Sequence, residues 1–172
     1  MKKAILLLVI LGLIIFPAGC AKNSVNEQPS ARFYYLRTPS DYVYGASDGV
    51  VTWEARDISG NDSATRYLLS LYLQGPLDES LRSPFPADCK VIGLTQNHSE
   101  ITIILNGKFT ALKGMDLTLG CICLARTCMS ITGAETVHIQ AEGADGQIST
   151  IQTITAATIL PDDSLHNMEN ET

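Results

Sequence analysis

The stretch from Asn61 to Pro86, NDSATRYLLSLYLQGPLDESLRSPFP, constrains the fold more than any other part of this chain. Ala64, Tyr67, Leu68, Leu71 and Tyr72 recur at i, i+3, i+4, i+7 and i+8, the spacing that stacks side chains on one helical face. Asn61, Asp62 and Ser63 supply acceptors for the first free backbone N–H groups. Gly75 and Pro76 stop the helix, because glycine accepts a left-handed cap and proline cannot extend the ladder. A polar stretch then leads to Pro84-Phe85-Pro86, two fixed φ angles around one aromatic directed at the core. An amphipathic helix needs a surface to cover, and its neighbours are written mostly in strand periodicity.

Two strands come before it. Ala31 to Arg37 (ARFYYLR) is one, and Val50 to Ile58 (VVTWEARDI) is a second with partial alternation, in which Trp53, the single tryptophan, reads as a large residue packed on the sheet. Between them Thr38 to Gly49 is a loop carrying Tyr42 and Tyr44. After the helix, Cys89 to Thr95 and Glu100 to Leu105 form a hairpin across Gln96 to Ser99, and Asn106-Gly107 supplies turn chemistry. Lys108 to Gly114 is a connector whose Phe109 and Leu112 fold back on the core.

Met115 to Ile131 reads as a second helix with Asp116 as N-cap and a stripe of Leu117, Cys121, Leu124, Cys128 and Ile131. Ile122, Ala125 and Met129 make a neighbouring stripe, so this helix is covered on more than one face or presents part of itself to a partner. Gly133 ends it. Glu135 to Ala141 alternates with Val137, Ile139 and Ala141 inward, and Gln147 to Leu160 is a looser edge strand or hairpin return. The order ββαββαβ(β) predicts an α+β domain, a small mixed β-sheet covered by two helices.

The ends carry an address. Lys2 and Lys3 precede thirteen uncharged, mostly apolar residues from Ala4 to Phe16, too few for the roughly 20 that cross a bilayer as a helix. This is the pattern of an export signal. Pro-Ala-Gly-Cys then resembles the processing site of bacterial lipoproteins, with Cys20 as the lipidated residue and Pro17 where that pattern has an aliphatic side chain. The expected organisation is a signal peptide at 1–19, a lipidated tether at 20–30, a single domain at 31–160 and a disordered acidic tail at 161–172. Acyl chains at Cys20, palmitate among them, contribute about 0.8 kcal/mol per buried CH₂, and two or three such chains anchor a protein firmly. The expected location is the extracytoplasmic face of a cell membrane.

Composition narrows the chemistry. Formal net charge is -6, and without Lys2 and Lys3 ten basic residues face eighteen acidic ones. That balance repels phosphate backbones, and no basic stripe is present, so nucleic acid is not expected as a partner. Cys89, Cys121, Cys123 and Cys128 read as small buried hydrophobes, with a bond from Cys89 to one helical cysteine left open. His98, His138 and His166 are dispersed, and the C-x-C-x4-C run lacks zinc-loop spacing. No glycine-flanked serine elbow or phosphate-cradling loop occurs, and Asp78-Glu79 and Asp162-Asp163 read as solvated charge. No catalytic residue, metal or cofactor is expected.

The chain resembles the GerM-type (GerMN) domain of bacterial spore-formation and germination lipoproteins. The resemblance runs from about Ala31 to Gly143. It is carried by Tyr67 through Gly75-Pro76, by Pro84-x-Pro86 leading into Lys90-Val91-Ile92, and by Leu105-Asn106 followed by Phe109. Leu117 to Thr127 and Val137-His138-Ile139 complete it. Asn106 departs from it, standing where similar domains have serine. The resemblance implies a core like that of the ring-building modules of secretion and sporulation assemblies, with no catalytic residues. It implies a non-enzymatic module that contacts envelope proteins, or further copies of itself, through a sheet edge and an apolar stripe. The alternative is a small-ligand or cell-wall-glycan binder using Tyr34, Tyr42, Tyr44 and Trp53.

Overall fold

A computed structural model of the chain describes residues 30–38, 49–58 and 64–159. The signal segment, Cys20 and nearly all of the tether, Tyr42, Tyr44, the capping residues 61–63, His166 and the acidic tail lie outside the described residues. Strand β1 (Ser30–Arg37) pairs antiparallel with β2 (Val51–Asp57), and helix α1 (Thr65–Leu73) follows. A two-residue strand β3 (Leu81–Arg82) precedes the hairpin of β4 (Val91–Asn97) and β5 (Glu100–Leu105). A 3₁₀ turn at Gly107–Ala111 leads to helix α2 (Gly114–Thr132), then to β6 (Thr136–Glu142) and β7 (Ile148–Thr155).

The α+β class holds, and the expected order holds apart from the added two-residue β3. The strands are divided between two sheets, β2-β1-β3 and β4-β5-β6-β7. In the larger sheet only β5 and β6 are parallel, with α2 as the crossover between them. Their register sets Ile101 beside Val137, Ile103 beside Ile139 and Leu105 beside Ala141, and all six side chains are buried.

Helix α2 runs through the middle, packed against β1, β6 and α1. That explains its composition: Gly120, Cys121, Cys123, Leu124, Ala125, Thr127 and Cys128 are all buried. Gly120 is small for a reason. A Cβ there would lie 3.0 Å from Leu112 Cδ1 and near the Pro84 carbonyl, so the helix approaches its own connector closely. Asp116 does not cap α2; Lys113 holds the N-cap position without a side-chain bond, and Asp116 sits in the first turn, where its charge suits the helix dipole.

The buried face of α1 is also rotated from the expected stripe. Leu68, Leu69 and Tyr72 are buried, whereas Ala64 and Tyr67 face outward. The run Leu68-Leu69-Ser70-Leu71-Tyr72-Leu73 is apolar around most of the helix, so periodicity alone admits two faces. Packing of Tyr72 against Phe33, Tyr35 and Phe85, with centroids 5.0–5.9 Å apart, selects one.

Candidate docking and binding surfaces

The residues that carried the family resemblance hold the core together. Gly75 has φ +111°, a conformation that favours glycine, and its carbonyl accepts hydrogen bonds from Tyr35 Oη (3.0 Å) and Arg56 Nη2 (2.7 Å). Arg56 also donates to Tyr35 Oη and to the Leu71 carbonyl, so one guanidinium closes the C-terminal end of α1. Glu54 accepts from Arg56 Nε at 2.7 Å and from the backbone N–H groups of Leu77 and Asp78, the residues just past Pro76. The pair is nearly buried, with side chains 12% and 11% exposed. Arg56 lies over the rings of Phe33 and Tyr35. Sequence reading missed this knot. Its signal was present in the alternation that put Glu54 and Arg56 on one face of β2.

Pro84 and Phe85 are buried, Pro86 half-buried, and Phe85 stands edge-on to Tyr72 at 5.3 Å. Leu105 and Phe109 are fully buried. Asn106 acts as a clasp: its amide donates to the Asp88 carbonyl (2.8 Å) and accepts from Lys90 N–H (3.1 Å). It thereby ties the left-handed Asp88, at φ 61°, and the start of β4 to the end of β5. A serine hydroxyl on one carbon cannot span the same two groups, which accounts for the amide here.

The first candidate surface lies at β4. Among the described residues β4 pairs only with β5, so one side of its ladder is open. Ile92 on it is 44% exposed. Beside its start lies a groove of about 890 Å³ between α1 and the Ala87–Val91 segment, with Tyr67, Leu73, Cys89 and Val91 as apolar lining and Arg66, Asp88 and Lys90 as its charged residues.

The second surface is the outer face of β1 and β2. Trp53 is not packed into the core; it is 45% exposed, because β2 turns Glu54 and Arg56 inward and Trp53, Ala55 and Asp57 outward. Arg32 lies over the indole at 4.6 Å, and Arg126 of α2 lies over the Tyr34 ring at 4.9 Å. These four residues line an open groove of about 650 Å³, with Met129 and Ile159 as apolar wall. Of the four residues of the glycan-binding alternative, Tyr34 and Trp53 lie together in this groove, and Tyr42 and Tyr44 lie outside the described residues.

Thiols and imidazoles gather into no site. Cys89, Cys121, Cys123 and Cys128 are buried and unbonded. Burial pushes the thiols of Cys89 and Cys121 from 9.0 up to about 11, that of Cys123 to about 12, and that of Cys128 higher still. Such thiols stay protonated and unreactive near neutral pH. His98 bonds its neighbour Asn97 in the turn, and His138 contacts Thr153 and Glu100 on the outer sheet face. Among the described residues no three metal-ligating side chains converge.

Residues 32–147 match the model of the Germane family, described as sporulation and spore germination. The fold is similar to the first GerMN domain of the Bacillus subtilis sporulation protein GerM. That match has a TM-score of 0.51 at 17% identity, over 66% of this chain and 83% of that one. The tandem GerMN domains of the same protein align at 0.49 with 16% identity, over 80% of this chain and 49% of that one. A Clostridium perfringens chain provisionally described as a lipoprotein aligns at 0.41 with 17% identity, over 74% and 87%. No curated protein matches the sequence.

Proposed function

Because the chain belongs to the Germane family of sporulation and spore germination domains, we propose that it works as a non-enzymatic contact module. A lipid on Cys20 holds it at the extracytoplasmic face of the cell membrane, and it engages an envelope protein of spore formation or germination. The observation that carries this reading is the open edge of β4 beside the apolar groove of α1. A strand presented by a partner completes the β4 ladder, and the groove takes an apolar side chain from that strand. Arg66 and Lys90 outnumber Asp88 along this groove, which favours a partner that brings acidic residues alongside. Among the described residues the cysteines are buried and no three metal-ligating side chains converge.

The experiment has two arms. In the first, palmitate labelling of the native chain is compared with Cys20→Ser; the label and the membrane association disappear together in the variant. Label retained in Cys20→Ser contradicts the anchor. In the second, Ile92→Glu places a carboxylate on the exposed strand without touching the core. It abolishes recovery of a defined crosslinked partner from intact membranes while Tm stays unchanged. Undiminished recovery contradicts docking at β4.

A further inference from the structure

The outer face of β1 and β2 has no part in docking at β4, and its residues form an arrangement of their own. Arg32, Tyr34 and Trp53 project to the same side because they alternate along paired strands, with Tyr34 opposite Trp53 and Arg32 opposite Ala55. Helix α2 borders β1 closely enough for Ser130 and Thr127 hydroxyls to accept the Arg32 and Tyr34 N–H groups, and this brings Arg126 into the same groove. Each guanidinium rests on a ring, Arg32 on Trp53 and Arg126 on Tyr34, which fixes its plane. The indole is 45% exposed although Arg32 covers part of it.

We propose that this groove is a binding site for a carboxylate-bearing saccharide. A pyranose ring presents a face of C–H groups, and an exposed indole is the protein surface that matches it. A carboxylate on that sugar needs a planar donor fork, and the Arg126 guanidinium supplies it in a chain of formal net charge -6. Met129 and Ile159 line the wall that a sugar's apolar edge touches. The volume of about 650 Å³ lies within the roughly 300–1,000 Å³ of small-molecule sites. Among the described residues the groove is open along its length, which admits an internal segment of a polymer as well as a free end.

Trp53 is the only tryptophan of the chain, so its fluorescence reports this groove and nothing else. The test titrates the full chain with a tetrasaccharide of alternating N-acetylglucosamine and N-acetylmuramic acid, against the tetramer of N-acetylglucosamine (chitotetraose), which has the same length and no carboxylate. The acidic sugar shifts Trp53 emission saturably, and chitotetraose binds at least about tenfold more weakly, the size of one charge-assisted hydrogen bond. Arg126→Gln weakens the acidic sugar by about tenfold and leaves chitotetraose unchanged, while Arg126→Lys, which keeps the charge without the fork, falls between. Equal affinity for the two sugars overturns the proposal, as does the absence of a saturable shift. A shift produced by phosphatidylglycerol vesicles and by neither sugar overturns it too, assigning the groove to lipid phosphate. The comparison of sugars on the unmutated chain decides even if Arg126→Gln does not fold.

Discussion

Arg56 and Glu54 stand two residues apart on β2, and between them they bind the end of α1, the Tyr35 hydroxyl and the backbone past Pro76. Removing one partner of a nearly buried pair leaves the other uncompensated, so Arg56→Met lowers unfolding free energy by roughly 3–5 kcal/mol in urea denaturation. The double variant Arg56→Met with Glu54→Leu recovers part of that loss. Asn106→Ala, which breaks the two bonds to Asp88 and Lys90, costs roughly 1–2 kcal/mol by the same measurement. Asn106→Ser recovers little of it, because the hydroxyl does not reach both groups. These side chains were the least legible part of the sequence. Alternation placed Glu54 and Arg56 together, but a polar pair on a strand reads as outward, and its inward direction depends on carbonyls that only the folded chain brings close. Trp53 is the converse case, an aromatic turned outward because the inner face already holds the ion pair.

At the level of elements, β1 is closed along one side by side chains. The Tyr34 N–H donates to Thr127 Oγ1 at 2.9 Å, the Arg32 N–H to Ser130 Oγ at 2.8 Å, and the Tyr34 carbonyl accepts from Tyr72 Oη at 2.8 Å. Thus α2 and α1 do for β1 what a neighbouring strand does elsewhere, satisfying backbone groups that burial leaves without water. Thr127→Val keeps shape and strands the Tyr34 N–H, so it costs about 1–3 kcal/mol in thermal or urea unfolding. The elements themselves were legible. Strand β5, the inward residues of β6 and the extent of α2 within two residues follow from periodicity. The split into two sheets was not, because alternation marks faces and not pairing partners, and β3 is only two residues long. The buried face of α1 was ambiguous for a similar reason, since leucines on most sides leave the choice to Tyr72.

For the whole molecule, the buried thiols and phenols predict a stability that falls in alkali. The unfolded chain releases thiol protons near pH 9, whereas the folded chain holds those of Cys89, Cys121 and Cys123 up to about 11 to 12 because burial disfavours the thiolate. Above pH 9 the unfolded state therefore binds fewer protons, and stability declines with rising pH. Below pH 9 these groups contribute no slope. Tyr35 and Tyr72, raised by burial in the same direction, steepen the decline. Urea midpoints at pH 8, 9, 10 and 11 check this, and a flat profile contradicts it. The same packing sets α2 inside and leaves β4 and β7 at opposite edges of the larger sheet. That asymmetry gives the most direct test of docking at β4. A photoreactive residue is placed at Ile92 on β4 or at Ser149 on β7, and crosslinked adducts are measured in intact membranes. The docking reading predicts a discrete adduct from position 92 and none from position 149; equal yields from both edges, or none from either, contradict it.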